Sequence, residues 1–366
     1  MKTYEMMQEM LVVIIFLIAP SICTDSKNII YVSKIVNEVN SNFQNTWQAS
    51  SYGFTTLNRG SFVQTRLGLD LADIDELTEI KENEKLLDKY LNMKNNHEKI
   101  EDHNLPQSFD TRINYPYCRS IQHIWDQSNC ASCWAISASS VLSDRLCIKT
   151  KGERNVLLSI EHLIACNKKN RGCKGGGLQK TWEFLQTQGT VTGGDFHSDE
   201  GCQPYSIRPC GWPSKLPCKF SSALTPKCKN TKCSNEWHDD EYEVNIVKAK
   251  SFYILSNVTL GSLNEILIMK EIYSNGPVQA AFLVYEDFLT YKSGIYQHKG
   301  TSFDAPLSGL SVKIIGWGEE NGIKYWIAVN SWSEEWGENG TFRIIRGENQ
   351  CLIETFVYTG VPELIT

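Results

Sequence analysis

Twelve of the 13 cysteines in this chain lie between Cys118 and Cys351, and none lies between Asp25 and Asn104. Thiols at this density persist as disulfides in an oxidising compartment and are rare in cytosol or nucleus. The distribution predicts a cross-linked domain that begins after residue 104, preceded by a segment held by packing alone. A chain of 366 residues is long enough to bury a substantial core. Its 36 basic against 42 acidic side chains leave no basic excess, which argues against nucleic acid as a partner.

The apolar run Leu11–Ala19 is well short of the roughly 20 residues that span a bilayer, and has the length of a signal-peptide core. Ser21 and Cys23 are small residues suited to the cleavage site. Residues 1–23 read as a signal peptide that sends the chain into the secretory pathway, to the exterior or to lysosomes, with no membrane attachment afterwards. In 24–104, Ile29, Val32, Val36, Val39 and Phe43 recur at helical spacing, and Leu77, Ile80, Leu87 and Leu91 do so again. Pro106 disfavours continuation of a helix and marks a boundary at Leu105.

The pattern of 105–366 changes midway. Up to about residue 240, helices are expected from Cys133 to Ile148 and from Leu178 to Gln188. From about 241, a capping box, Ser262 to Glu265, opens a helix that stops at Asn275-Gly276-Pro277. Strands then follow at Val278–Tyr285, Ser311–Gly316, Tyr325–Val329 and Thr341–Ile345. A helical part followed by a strand-rich part predicts an α+β protein of two lobes.

The chemistry is concentrated in QSNCASCWA, Gln127 to Ala135. Cys133 stands where a loop turns into a helix, and a helix N-terminus favours the thiolate, the reactive form of cysteine. Gln127 offers an amide donor beside it, as an oxyanion hole requires. On residues alone, Cys130 and Cys133 also read as two structural cysteines or as a C-x-x-C redox pair.

Cys130-Ala131-Ser132-Cys133-Trp134 resembles the nucleophile signature of the papain family of cysteine peptidases, with Ala131 in place of the usual glycine. LPQSFDTR at Leu105, SDRLCIKT at Ser143, GCQPYSIRPC at Gly201, YKSGIYQH at Tyr291, GWGEENG at Gly316 and NSWSEEWGENG at Asn330 resemble its cathepsin B branch. NTWQA at Asn45 resembles that branch's propeptide. The resemblance implies a papain-like fold with a helical and a β-barrel-like lobe, residues 24–104 as propeptide, and 105–366 as the peptidase domain of a zymogen. It implies no cofactor and no metal. Its partners would be the chain's own propeptide, a peptide or protein ligand in the cleft, and protease inhibitors.

In that family Cys133 is the nucleophile, a histidine pairs with it, an asparagine orients the histidine, and a tryptophan covers them. The asparagine corresponds to Asn330 and the tryptophan to Trp332, but the histidine's position holds Leu310. Without an imidazolium the Cys133 thiol is expected near or above the ordinary value of about 8.5. The expected protein is therefore an inactive or severely impaired homologue that keeps a peptide-binding cleft. The alternative is an active endopeptidase with a substitute base.

Gly175, Gly176 and Gly309 correspond to positions that pair with an extended peptide. Phe356 replaces an acidic residue and makes the adjoining pocket apolar. The span Cys210–Cys218 corresponds to the loop whose paired histidines bind a substrate's C-terminus; it has none, so dipeptide trimming is not expected, and Lys215 reads as a solvated lysine. The resemblance pairs Cys118 with Cys147, Cys130 with Cys173, Cys166 with Cys228, Cys202 with Cys233 and Cys210 with Cys218, leaving Cys133 and Cys351 free. Asn257 and Asn339 open glycosylation sequons.

Overall fold

The computed structural model describes residues 29–69 and 105–364, apart from 212, 214–215, 217, 219–221, 230, 236–240, 256–262 and 301–304. The signal-peptide run, the Leu77–Leu91 pattern, Lys215, Asn257 and Ser262 lie outside these residues. The helices are α1 (Val32–Ser41), α2 (Arg59–Arg66), α3 (Thr111–Asn114), α4 (Arg119–Gln122), α5 (Cys133–Lys149), α6 (Ile160–Cys166), α7 (Leu178–Thr187) and α8 (Leu263–Asn275). The strands are β1 (Ile29–Ile30), β2 (Trp47–Ala49), β3 (Leu57–Asn58), β4 (Phe109–Asp110), β5 (Leu157–Leu158), β6 (Thr192–Gly193), β7 (Ala249–Ile254), β8 (Val278–Val284), β9 (Tyr291–Tyr296), β10 (Ser308–Glu320), β11 (Ile323–Val329), β12 (Thr341–Ile345) and β13 (Phe356–Pro362).

All the helices but α8 fall before residue 190 and the long strands after 248, an α+β division. One large sheet runs β2-β9-β12-β11-β10-β8-β13-β7, with β4 added against β10. Its edge strand β2 comes from the N-terminal segment, so that segment is joined to the sheet as well as packed on it. Two expectations are corrected there. Ile29 belongs to a strand, and α1 stops at Ser41, leaving Phe43 fully exposed, because the Asn42 cap turns the chain toward β2. Strand β10 also starts earlier and ends later than its apolar pattern, since Ser308 to Leu310 extend its pairing with β8 and Trp317 to Glu320 its pairing with β11.

Helix α5 lies between the lobes. Fifteen of its 17 residues are buried. A helix with apolar residues on one stripe would show alternation; α5 instead carries serines and small residues all round, which allow close approach on every side. Its two charges are answered by the strand-rich part. Asp144 Oδ2 accepts from Lys313 Nζ on β10 at 2.7 Å, and Arg145 Nη1 meets Glu271 Oε1 on α8 at 2.8 Å. All four side chains are at most 2% exposed. Five disulfides, Cys118–Cys147, Cys130–Cys173, Cys166–Cys228, Cys202–Cys233 and Cys210–Cys218, tie the surrounding loops. Cys133 and Cys351 are free.

Breaking a buried pair strands its partner's charge, so Asp144→Ala should lower the unfolding free energy by about 3–5 kcal/mol. Replacing both members, as Asp144→Leu with Lys313→Met, should cost less than the single change. Urea unfolding monitored by tryptophan fluorescence measures both; equal losses would mean that Lys313 does not depend on Asp144.

Candidate active site

The loop before α5 is fastened at three points. Gln127 N–H donates to Ser331 O at 2.9 Å, Ala131 N–H to Cys173 O at 3.1 Å, and Cys130 is bonded to Cys173. These fix the start of α5 at Cys133. The Cys133 side chain is fully buried, and burial pushes its thiol up to about 11. Backbone N–H groups of Ser311, Gly68 and Trp134 point toward the sulfur and oppose the shift, but burial wins. The thiol is therefore protonated at neutral pH, against the helix-terminus preference for thiolate. No cation among the described residues contributes to its titration.

The thiol is covered by a strap from the N-terminal segment, Thr65 to Leu69. Gly68 lies so close that a Cβ there would come within 2.7 Å of Cys133 Sγ and 2.6 Å of Ala131 O. Gly68 O accepts from Gly176 N–H at 2.9 Å, and Leu69 N–H donates to Gly309 O at 3.2 Å. Ser308 Oγ adds a bond to Leu69 O at 2.8 Å. Gln127 Nε2 donates toward Thr65 O and Arg66 O at 3.3 and 3.2 Å, and Trp332 Nε1 to Arg66 O at 3.4 Å. Phe62 of α2 meets the Trp332 ring edge-on. The strap thus gathers Gln127, Cys133, Gly176, Gly309 and Trp332 along one path, while Gly175 lies against Gly68 O.

Arg66, Gly68 and Asp126 were not among the expected site residues. Arg66 is buried with its guanidinium on Asp126 and on Cys210 O. Leu67-Gly68-Leu69 was the available signal: a lone glycine between buried leucines marks close backbone approach. The Arg66–Asp126 pair, 60 residues apart, has no short-range signal.

Leu310 sits on β10 between Gly309, whose carbonyl holds the strap, and Ser311, whose N–H reaches Cys133 Sγ at 3.5 Å. It is fully buried and paired with Phe282, whose ring packs against Phe288, which meets Trp332. Ser311 is aligned across the sheet with Ala281 on β8, and Ala281 with Phe356 on β13, so Phe356 closes an apolar row beginning beside the thiol. Asn330 accepts from Ser331 N–H at 2.8 Å, but its buried Nδ2 has no hydrogen-bond partner among the described residues. A small void of about 10 Å³ bordered by Ser137, Ser311, Lys313 and Asn330 adjoins it. The four described histidines are placed elsewhere: His123 by Asp195, His162 between Thr190 and Tyr242, His197 against Phe196 and His298 on Asp287.

Iodoacetamide should alkylate Cys133 in the full chain very slowly below pH 8, with the rate climbing about tenfold per pH unit toward pH 10, as for a thiol displaced upward by burial. Gly68→Ala should unseat the strap and speed alkylation by at least about tenfold, since no conformer of a Cβ avoids Sγ and Ala131 O. Mass spectrometry of the Cys133 peptide follows both; a pH-flat reaction at pH 5 would reveal a thiolate.

Residues 105–361 match the family model described as Papain family cysteine protease. The chain is 42% identical over 273 residues to Cathepsin B-like cysteine proteinase 4 of Caenorhabditis elegans, covering 72% of this chain and 78% of that protein. It is also 42% identical over 269 residues to Cathepsin B-like cysteine proteinase 6 of the same organism, covering 72% and 68%. Among solved structures, proCathepsin B S9 from Trypanosoma congolense is similar with a TM-score of 0.68 and 30% identity, over 91% of this chain and 98% of that one. Digestive procathepsin L 3 of Tenebrio molitor shares the fold at 19% identity and a TM-score of 0.60, over 91% and 89%. With its family signature around a buried Cys133 and an N-terminal segment laid through the cleft, the chain belongs to the papain family of cysteine proteases, among its cathepsin B-like members.

Proposed function

We propose that this protein is a cathepsin B-like zymogen whose cleft holds peptide without cutting it. The observation that carries the reading is Leu310 at the place where the parent chemistry needs an imidazole. That no cation among the described residues acts on the Cys133 thiol supports it. Amide hydrolysis by a thiol needs a base to take the proton and an acid to deliver it to the leaving amine. Loss of such a group costs roughly 10²–10⁴ in rate, and nucleophile–base units fail together. Peptide holding needs neither. Gly176 N–H and Gly309 O already hold the extended part of the strap, and Gln127 Nε2 the carbonyls of the helical turn before it.

In this reading residues 24–104 act as propeptide and 105–366 as the peptidase-like domain, reached through a signal peptide and the secretory pathway. Phe356 makes the pocket beside Ser311 apolar, so ligands with an apolar side chain there are favoured. The Cys210–Cys218 loop has no histidine, and dipeptide trimming is absent. Asn339 is exposed at a turn and suits glycosylation. No observation favours a substitute base, because the described histidines are engaged away from Cys133.

Leu310→His should create measurable cleavage of peptides with an apolar residue before the one preceding the scissile bond, after the propeptide is cut by an added protease. The gain over the unmodified protein should be at least about 10²-fold in kcat/KM, the contribution of one acid–base group. Leu310→His with Cys133→Ala should be dead. If the unmodified protein cleaves as fast as the variant and Cys133→Ala abolishes both, a substitute base exists and the binding-only reading fails.

A further inference from the structure

Arg66 is 3% exposed, and a charged side chain buried to that degree requires acceptors built to receive it. Its Nη1 donates to Asp126 Oδ1 at 3.1 Å and its Nη2 to Cys210 O at 2.9 Å. Both acceptors belong to the body of the protein rather than to the strap, and both are held in advance. Asp126 Oδ1 also accepts from Ser128 N–H at 2.7 Å, and Asp126 is bridged through its backbone to Trp332. Cys210 is fixed by its disulfide to Cys218 and by the Gly211 N–H bond to Leu216 O at 2.5 Å. Two separate acceptors facing the two terminal nitrogens suit the planar fork of a guanidinium, whereas an ammonium is a point charge. The pocket lies on the Trp332 and Gln127 side of Cys133, away from Gly176 and Gly309.

We propose that Asp126 and the Cys210 carbonyl form a guanidinium subsite of the cleft, occupied by Arg66 in the zymogen and by an arginine side chain of a peptide ligand once the strap leaves. The proposal rests on the peptide-holding reading of the cleft. It adds a charge-selective position to the apolar one at Phe356, so the preferred ligand carries an apolar side chain on one side of Cys133 and arginine on the other.

The first test uses the full chain with Arg66→Ala, which vacates the pocket, and methylguanidinium with methylurea as its neutral counterpart. Methylguanidinium should raise the melting temperature saturably, at a concentration at least about tenfold lower than methylurea, because a hydrogen bond to a charged group is worth about 1.5–3 kcal/mol. Adding Asp126→Asn should remove the difference. Equal responses to the two compounds, or a response that survives Asp126→Asn, would overturn the subsite. If Arg66→Ala does not fold, Arg66→Lys keeps the test: it should melt below the unmodified chain, and an equal melting temperature would overturn the two-acceptor arrangement.

The second test uses the full chain with Arg66→Ala and Gly68→Ala, in which the strap is unseated, and labelled peptides containing arginine or its uncharged isostere citrulline. Fluorescence anisotropy should show arginine preferred by at least about tenfold. Equal binding overturns the subsite and leaves the peptide-holding cleft standing. Absence of binding by either peptide, with the methylguanidinium response intact, overturns the cleft reading instead.

Discussion

A helix without a solvent face must have each of its polar groups answered by the rest of the protein, and α5 is such a helix. Ser137 Oγ bonds Cys133 O within the helix and Ser311 Oγ on β10, and Gln279 Nε2 on β8 joins both serines. Ser143 Oγ receives Leu158 N–H from β5. Asp144 and Arg145, neighbours in sequence, reach opposite parts of the strand-rich region. Each is an uncompensated charge without its partner, so the two lobes are coupled through one helix more firmly than apolar contact alone would couple them. The position of Cys133 follows: it is the first residue of the element that everything else is fitted around.

The strap exploits that fixity. Its bonds to Gly176, Gly309 and Gln127 are made to groups already immobilised by disulfides and sheet pairing, so little ordering is asked of the receiving side. The cost falls on the strap, and its glycine meets the steric part of it: no other side chain passes Cys133 at that distance. Farther upstream, β2 against β9 and Phe62 against Trp332 spread the attachment over many contacts, so that no one of them holds the segment alone.

Much of this was legible before any coordinates. Helix α5 begins at the expected Cys133 and ends one residue past Ile148, because a run with neither glycine nor proline follows the loop cysteines, and Lys151 and Gly152, both at positive φ, turn the chain out afterwards. Strand β12 has its expected bounds because turn residues flank a short β-branched and aromatic run. The N-terminal segment is less legible. Phe43 continues a helical spacing in the sequence yet stands in solvent, since periodicity does not say where a capping residue diverts the chain. The Arg66–Asp126 pair had no pattern to betray it. It is a long-range contact between two residues that look like ordinary surface charges, and only the burial of Arg66 gives it meaning.

The remaining groups of the cleft separate recognition from reaction. Backbone donors and acceptors around the strap hold main chain and need no proton transfer, so they do not depend on which side chain stands at position 310. In the function proposed above, the groups that would carry the reaction do. Asn330 has a buried amide nitrogen without a partner among the described residues, and a group left so costs about 1–3 kcal/mol relative to a satisfied one. Leu310 is paired with Phe282, whose ring meets Phe288 and, through it, Trp332, so its surroundings there are carbon. In the proposed function, the apolar packing that would shield a histidine there from water serves Leu310 only as core, because leucine carries no proton to exchange with Cys133.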